Sequence, residues 1–536
     1  MISVLLGLLL FSATSRAEAA RVRGAASIGH AGNVSEGSSA DVAFHNPVTD
    51  IAERIREGAQ KVSDVAKKVE EIANKTGEVV AKVQAVEDAR KPTELGGHTR
   101  GAINLFIVFV LAFVSFASLL GHGMERCFSK GTPEDGRMKG WLVGLQLASY
   151  VVLVYGIFAV LVSFNLSITA FGFHVNVTRS PDGTPTALTE SILSLIKAML
   201  DNGAELGAVL VIFYAMFVPA VKFLLLIVSA LWRNSTDPWR VQAARRCIVF
   251  VQFISKWACP DMFAYILLLH LFSHLDNGAL IEAPSKLDVG FTCFCVFCIC
   301  STFSSLAIEL PKVPEESVVT PSPWVLRHFG KGGVQCLASL WGVVFAIAFL
   351  VGIFWPCMGI RLDKHLLFEP VGNIPATYAP ILDILNIDEQ VNSDVSLVLC
   401  SGTLLQRVIS DGEANCLLAL VILFGFAICL PVIDMAALLV AAFKLRSKPV
   451  EASESKSTLD RAMALSHVLK HVSMLDVCIM GVVAICMSGR IYREQGVNIM
   501  ILPGLTVLIV AEAVHYAMYD LVSSAVDFSL AREHEK

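Results

Sequence analysis

Residues 206–232 read LGAVLVIFYAMFVPAVKFLLLIVSALW, an apolar stretch in which Lys222 is the single charged side chain. In a helix, about 20 apolar residues cross the roughly 30 Å hydrocarbon core of a bilayer. The stretch is therefore long enough to span a membrane. An ammonium group in hydrocarbon is costly unless it is paired or hydrated, so Lys222 needs a partner or a route to the lipid headgroups.

The whole chain has the composition of a membrane protein. Of its 536 residues, 55% are hydrophobic and 17% are charged, and the mean hydropathy is +0.64. The net charge of −5 provides no basic field, which excludes nucleic-acid binding as a main function. Long apolar segments predict an all-α, polytopic membrane protein with about nine transmembrane helices, at residues 103–120, 141–164, 206–232, 248–272, 289–308, 334–360, 417–443, 474–487 and 499–522.

The amino-terminal part carries two further signals. An apolar run followed by Ala17-Glu18-Ala19 predicts a signal peptide over residues 1–19, with an uncleaved anchor as the alternative. An extracytoplasmic segment follows at residues 20–100, and apolar residues recur every seven positions in its residues 48–86. This predicts a coiled-coil-like helix, for which self-association, a partner helix and a lipid surface remain open.

Loop charges and glycosylation sequons predict the same topology. Lysine and arginine are concentrated in alternate loops, and such loops stay cytoplasmic. Four of the five sequons fall on the opposite side and are candidate glycosylation sites: Asn33, Asn74, Asn165 and Asn176. We therefore expect a multi-pass protein of the secretory pathway or plasma membrane, with its amino terminus outside and its carboxyl terminus cytoplasmic.

Two motifs recur in the second half of the chain. Residues 218–222 (VPAVK) correspond to 430–434 (LPVID), and residues 256–261 (KWACPD) correspond to 471–476 (HVSMLD). Such spacing predicts two parallel four-helix repeats. The predicted plan after residue 100 is a transmembrane helix and cytoplasmic loop at 101–140, the first repeat at 141–310, a cytoplasmic linker at 311–333, the second repeat at 334–526 and a cytoplasmic tail at 527–536.

The doubled layout, the Pro-x-x-Lys helix ending in Lys222 and the string Ser473-Met474-Leu475-Asp476-Val477 resemble the paraquat-inducible protein A family, which includes PqiA and its relative LetA. The resemblance covers roughly residues 141–526. It implies a membrane protein that works with an MCE-type lipid-tunnel partner, moves phospholipid between membranes and supports envelope integrity.

The sequence departs from that family pattern in its cysteines. Bacterial members of the family carry cytoplasmic zinc ribbons built from Cys-x-x-Cys pairs before each repeat, whereas Cys127 stands alone before the first repeat here. We therefore expect no structural metal and no cofactor. The signal peptide and the helix at residues 48–86 are additions to the family pattern.

Five polar residues within the apolar segments are candidates for a transport network: Lys222, Asp261, Asp434, Ser473 and Asp476. Lys222 pairs either with Asp261 or, across the repeats, with Asp434. Asp434 and Asp476 have no matching cation, and two neighbouring carboxyl groups would share a proton. Ser473 is then a hydrogen-bonding neighbour. The alternative is that Lys222 extends to the inner headgroups and Asp261 caps its helix.

Other side chains extend or border this network. Glu512 and His515 lie three residues apart, which places them on one helix face as a candidate polar path. His270 and His274 have the spacing of a metal pair without a third ligand, which favours an interfacial role. Cys400 and Cys416 fall on the predicted oxidising side and are a candidate disulfide.

The sequence favours a lipid-handling transport component that is coupled to protons and binds membrane lipids. No phosphate-binding loop, nucleophile elbow or metalloprotease helix occurs, so we do not expect an enzyme. Two alternatives remain open. The first is a non-transporting scaffold that presents residues 48–86 to partners or to a second copy of the chain, and the second is a small-solute carrier.

Overall fold

The computed structural model describes residues 97–128, 138–165, 167–170, 173–176, 188–201, 203–258, 260–275, 281–311, 324–362, 392–445, 452–489 and 497–534. The predicted signal peptide, the heptad helix at residues 48–86 and the sequons at Asn33 and Asn74 lie outside these residues. The chain divides into two compact units: residues 1–92 with 170–173, and residues 93–169 with 174–536. The fold below is that of the second unit.

The described residues form a polytopic all-α membrane fold, as predicted. Nine of their helices are long and apolar enough to cross a membrane: Arg100–Cys127, Gly140–Phe158, Glu205–Trp232, Pro238–His274, Val289–Leu306, Gly332–Phe354, Ala414–Lys444, Leu459–Ser488 and Pro503–Ser529. Each corresponds to one predicted span. The fourth and eighth are longer than predicted, because in each a preceding, more polar helix continues into the apolar segment.

The first half, residues 100–311, contains α1 (Arg100–Phe128), α2 (Gly140–Phe158), β1 (Val162–Phe164), β2 (Ser167–Ala170), β3 (Phe173–Asn176), β4 (Leu188–Glu190), α3 (Ile192–Asp201), α4 (Glu205–Ile212), α5 (Val218–Trp232), α6 (Pro238–Ile254), α7 (Pro260–Leu275), β5 (Ile281–Glu282), β6 (Ser285–Leu287) and α8 (Val289–Leu306).

The second half, residues 324–534, contains α9 (Trp324–Phe354), β7 (Met358–Leu362), β8 (Ser393–Val395), α10 (Leu397–Asp411), α11 (Ala414–Leu420), α12 (Leu430–Lys444), α13 (Ala452–Val472), α14 (Leu475–Ser488), β9 (Val497–Ile501) and α15 (Pro503–His534). Apart from α1, the order of long helices is the same in both halves. This order is what a duplication predicts.

Proline distorts the same transmembrane helix in each half. Residues Phe213–Phe217 are π-helical before Pro219, and Val421–Cys429 are π-helical before Pro431. Proline lacks an N–H group and its ring clashes with the carbonyl four residues earlier, so the preceding turn widens. The widened turn lies one helical turn before Lys222 in the first half.

Short antiparallel sheets cap the helices at one end, which we call the sheet end. One sheet has the order β4-β1-β6 and another has β8-β7-β9. The central strands are β1, which follows α2, and β7, which follows α9. These strands were not predicted: the spans expected at residues 141–164 and 334–360 end earlier, at Phe158 and Phe354, because the chain becomes extended beyond those residues.

The two halves pack closely through α7 and α14. A Cβ atom added to Gly481 would lie 2.7 Å from the Pro260 carbonyl oxygen and 2.8 Å from Phe263 Cβ. Only glycine allows this approach of the two backbones. The central helices are correspondingly well covered, since 83% of the span within Leu459–Ser488 is buried against 22% within Arg100–Cys127. α1 therefore lies at the periphery.

Candidate functional site

A buried ion pair joins the two halves of the protein. Lys256 Nζ lies 2.8 Å from Asp476 Oδ2, and both residues are less than 10% exposed. Tyr516 bridges the pair, because its hydroxyl accepts a hydrogen bond from Lys256 Nζ at 3.0 Å and donates one to Asp476 Oδ2 at 2.8 Å. Charge-assisted bonds of this kind are strong where water is excluded. The three side chains form one compact unit, the inter-half cluster.

Local breaks in the helices position this cluster. Residues Ser255–Ala258 form a 3₁₀ turn between α6 and α7, and Lys256 lies in that turn. At the corresponding break in the second half, the carbonyls of Lys470 and Ser473 each accept a hydrogen bond from Lys256 Nζ at 3.3 Å. Asp476 lies in the first turn of α14, where its Oδ1 accepts from the Val477 N–H at 2.9 Å. The helix dipole favours a carboxylate there.

A second cluster of charged side chains is centred on His515. Its Nε2 lies 3.0 Å from Asp434 Oδ2 on α12, within hydrogen-bond distance, and its Nδ1 lies 3.4 Å from Glu512 Oε2. The second contact has ion-pair distance without hydrogen-bond alignment. Because both ring nitrogens face a carboxylate, the arrangement favours the imidazolium form, in which both nitrogens carry protons. We call Asp434, Glu512 and His515 the histidine cluster.

The two clusters are adjacent and extend towards one end of the bundle. His515 and Tyr516 are consecutive on α15, with ring centroids 6.1 Å apart. Lys470 Nζ lies 5.5 Å from the Tyr516 ring centroid and 3.5 Å from that of Tyr519. It also lies 3.9 Å from Asp520 Oδ1, whose side chain is 78% exposed. Charged and phenolic groups therefore continue from an exposed carboxylate to the buried centre.

Lys222 belongs to a different polar cluster. Its Nζ donates to the Ser301 carbonyl at 2.9 Å and to Ser301 Oγ at 2.6 Å, and Gln146 Nε2 donates to the same hydroxyl at 3.3 Å. Within the described residues no carboxylate forms an ion pair with Lys222. Neither predicted pairing of Lys222, with Asp261 or with Asp434, is present. The expected Asp434–Asp476 pair is also absent, because each acid has its own cationic partner.

Asp261 lies at the inner wall of an apolar cavity. Both carboxyl oxygens lack a hydrogen-bond partner although the residue is only 4% exposed. The cavity extends past Leu268 to the strands of the sheet end. Glu190 on β4 also lines it, and burial raises the pKa of that carboxyl group, against the opposing effect of a hydrogen bond from Ser194. The cavity therefore has an apolar wall and acidic groups.

The remaining predicted site residues have different surroundings. Ser473 contributes its carbonyl, whereas its hydroxyl has no hydrogen-bond partner. Cys400 and Cys416 are free thiols, so the predicted disulfide is wrong; the two sulfurs contact different partners, the Ile266 carbonyl and the Glu413 carboxylate. Asn165 is 2% exposed, and a glycan on its amide nitrogen is incompatible with this burial.

Sequence reasoning missed Lys256, Tyr516 and Ser301. The sequence contained a reason to select Lys256, because it is the first residue of the repeated motif at residues 256–261. Only the last residue of that motif, Asp261, was selected as a candidate. Tyr516 and Ser301 carry no charge and occur in apolar helices, so the sequence gives no reason to select them. Over the described part of the chain, no three histidine, cysteine, aspartate or glutamate side chains are grouped to hold a metal ion.

Comparison with known proteins confirms the predicted family resemblance. Residues 157–313 match the family model of paraquat-inducible protein A. No curated protein matches the chain. Among solved structures, the chain is similar to SecDF in its super-membrane-facing form, with 11% sequence identity and a TM-score of 0.14. That alignment covers 79% of this chain and 64% of the SecDF chain, which is less than two thirds of its length.

Proposed function

We propose that this chain is the membrane component of a phospholipid transport system, and that the two buried clusters couple proton movement to a change in contact between the halves. The observation that carries the proposal is the Lys256–Asp476 ion pair, which links the 3₁₀ turn before α7 to the first turn of α14. Charged side chains in membrane helices are rare and concentrate on substrate or proton pathways. The match to the paraquat-inducible protein A family over residues 157–313 supports a lipid substrate.

The inter-half cluster can exist in two states. With Asp476 ionised, its carboxylate holds Lys256 and Tyr516. Protonation of Asp476 would remove the attraction and leave the buried ammonium with uncharged partners, which is unfavourable in a low-dielectric site. The favourable response is separation of α7 from α14 or entry of water. A proton on Asp476 would therefore loosen the junction between the halves.

The histidine cluster can supply or receive that proton. Loss of one proton from His515 would convert one of its ring nitrogens into an acceptor that faces a carboxylate, Asp434 or Glu512. A carboxylate would then have to take up a proton or move away. Since Tyr516 is adjacent and donates to Asp476, a change at His515 is transmitted to the inter-half cluster over one residue of α15.

Transport between membranes also requires an exit for the lipid beyond this bilayer. The family resemblance supports an MCE-type lipid-tunnel protein as partner. The chain itself contains no recognisable ATP site, so a proton gradient is the energy source we propose. The peripheral α1 and the sheet end offer surfaces to such a partner.

The proposal is tested with purified protein in vesicles that contain a fluorescent phospholipid, with and without an imposed pH gradient. We expect lipid movement that accelerates with the gradient in the wild type. Asp434→Asn, His515→Gln and Asp476→Asn should abolish this acceleration. Glu309→Gln is the matched control, because Glu309 is an exposed carboxylate whose partner, Lys139, lies outside both clusters.

Three results would overturn the proposal. The first is lipid movement that does not depend on the gradient and is unchanged in the three cluster variants. The second is unaltered lipid distribution in those variants combined with loss of function when residues 48–86 are deleted, which would establish the scaffold instead. Substrate-dependent currents without lipid movement would identify a solute carrier.

A further inference from the structure

A polar pocket at the sheet end is separate from both charged clusters. It lies between the last turns of α7 and α10 and the first turn of α1, and it is partly open to solvent. The apolar cavity at Asp261 borders the face of α7 that carries Ala264 and Leu268, whereas the pocket borders the face that carries His270 and Ser273. The two spaces therefore lie on opposite sides of one helix.

His270 is a buried polar group that lines this pocket. It is 2% exposed, and neither Nδ1 nor Nε2 has a hydrogen-bond partner. Its ring lies 6.3 Å from that of His274, which borders the same space. A neutral imidazole has one donor and one acceptor, and leaving them unpaired is unfavourable. A ligand with polar oxygens in the pocket would satisfy them.

Two guanidinium groups supply positive charge to the pocket. Arg407 Nη1 donates to the Ser285 carbonyl at 2.9 Å and lies 3.8 Å from Glu413 Oε2. Arg100 Nε lies 3.1 Å from the other oxygen of Glu413. The two arginines thus share one buried carboxylate, Glu413. Contacts to Glu413 and Ser285 also fix the orientation of Arg407.

A carboxylate completes the lining. Asp411 lies 4.0 Å from Arg100 Nη2 and its side chain is 36% exposed. Guanidinium and imidazole groups suit a phosphate, whereas a carboxylate beside them repels a bare anion and attracts an ammonium group. The set of charges matches a ligand that carries a phosphate and an amine together.

We propose that this pocket binds the zwitterionic headgroup of a phospholipid that contains a phosphodiester and a primary amine. Arg407 and His270 bind the phosphate oxygens, and Asp411 binds the amine. That the ligand is a lipid rests on the proposed function, whereas the headgroup chemistry rests on the pocket. The pocket would therefore select the transported lipid, at a place distinct from the proton-coupling clusters.

The test measures binding to the full-length protein in detergent by native mass spectrometry and calorimetry. The probes are phosphatidylethanolamine, phosphatidylglycerol, phosphoethanolamine and inorganic phosphate. We expect the wild type to prefer phosphatidylethanolamine over phosphatidylglycerol. His270→Leu should weaken phosphatidylethanolamine binding about tenfold, since a bond to a charged group is lost. Asp411→Asn should remove the preference for the lipid with an amine.

The variants are chosen to keep the fold. His270→Leu removes two nitrogen atoms that bond to nothing in the protein, and Asp411 is partly exposed. His122→Leu is the matched control, because His122 lies on α1 about 33 Å along the helix from Arg100. It should bind every probe as the wild type does, and thermal unfolding should show all three variants folded.

The outcomes separate this inference from the proposed function. If the wild type retains phospholipid and His270→Leu and Asp411→Asn retain it equally well, with the same headgroup preference, the pocket proposal is overturned and the lipid function stands. If the wild type binds phosphoethanolamine in a His270-dependent way but retains no phospholipid, the pocket chemistry is supported and the lipid function fails. Equal binding of inorganic phosphate and phosphoethanolamine would overturn the role of Asp411.

Discussion

Lys256 Nζ and Asp476 Oδ2 lie 2.8 Å apart, and this contact joins a 3₁₀ turn of the first half to the first turn of α14 in the second half. Both residues belong to the motif that recurs at residues 256–261 and 471–476, but they occupy different positions of it. The first position of one copy therefore pairs with the last position of the other. The duplicated motif produces a contact between the halves rather than two separate sites.

Removing one member of this pair should destabilise the protein. Lys256→Met leaves the Asp476 carboxylate without its cation, and Asp476→Leu leaves a buried ammonium. We expect each single variant to lose about 3–5 kcal/mol in free energy of unfolding. The double variant should lose much less than the sum, since it leaves no buried charge unpaired. Chemical unfolding in detergent micelles measures all four forms, and additive losses would contradict a direct pairing.

Lys222→Met should behave differently from Lys256→Met. Lys222 is 1% exposed, and its contacts are the carbonyl and hydroxyl of Ser301 rather than a carboxylate. Replacement by methionine removes the cost of a buried cation and frees two acceptors that retain other partners. We expect unfolding free energy unchanged within about 1 kcal/mol, or raised. A loss as large as that of Lys256→Met would indicate a further anionic partner for Lys222.

The transmembrane helices could be predicted from sequence because their signal is local. Apolar length alone identified all nine spans, and Pro219 and Pro431 marked equivalent helices. The pairing of charged residues could not be predicted in this way. Lys222 and Asp434 occupy equivalent positions of the two motifs, and their contact was one of the two pairings that the sequence left open for Lys222. In the structure, Lys222 contacts Ser301 and Asp434 contacts His515, each on a neighbouring helix.

The short strands could not be predicted from hydropathy either. Residues 162–164 of β1 and 358–360 of β7 are mainly apolar like the helices they follow, so the predicted spans extended into these strands. Their extended conformation depends on pairing with β6 and β9, which lie far along the chain. The same limit applies to the candidate site, since the Lys256–Asp476 contact spans 220 residues. Glu512 and His515 were placed together correctly because three-residue spacing is a local property of a helix.

Gly481 should be the most sensitive glycine at the junction of α7 and α14. Valine there would bring Cβ to 2.7 Å from the Pro260 carbonyl oxygen, which is backbone and cannot rotate away. We expect Gly481→Val to cost about 1–3 kcal/mol or more, through forced separation of the two helices. Thermal unfolding measures the loss.

Gly402→Ala on α10 is the control: nothing lies within 4 Å of its added Cβ, so stability should not fall. Equal melting temperatures for the two variants would contradict the close packing.

Cys400 and Cys416 should both react as free thiols. Cys400 Sγ faces the Ile266 carbonyl at 3.8 Å, whereas Cys416 Sγ donates to Glu413 Oε2 at 3.1 Å. Burial raises the pKa of the Cys400 thiol well above its ordinary value, so the unreactive thiol form is favoured in the folded protein. Denaturation without reductant, followed by alkylation and peptide mass analysis, should label both residues.

Cys298 is disulfide-bonded and should be labelled only after reduction. A peptide pair linked through Cys400 and Cys416 would instead establish the candidate disulfide.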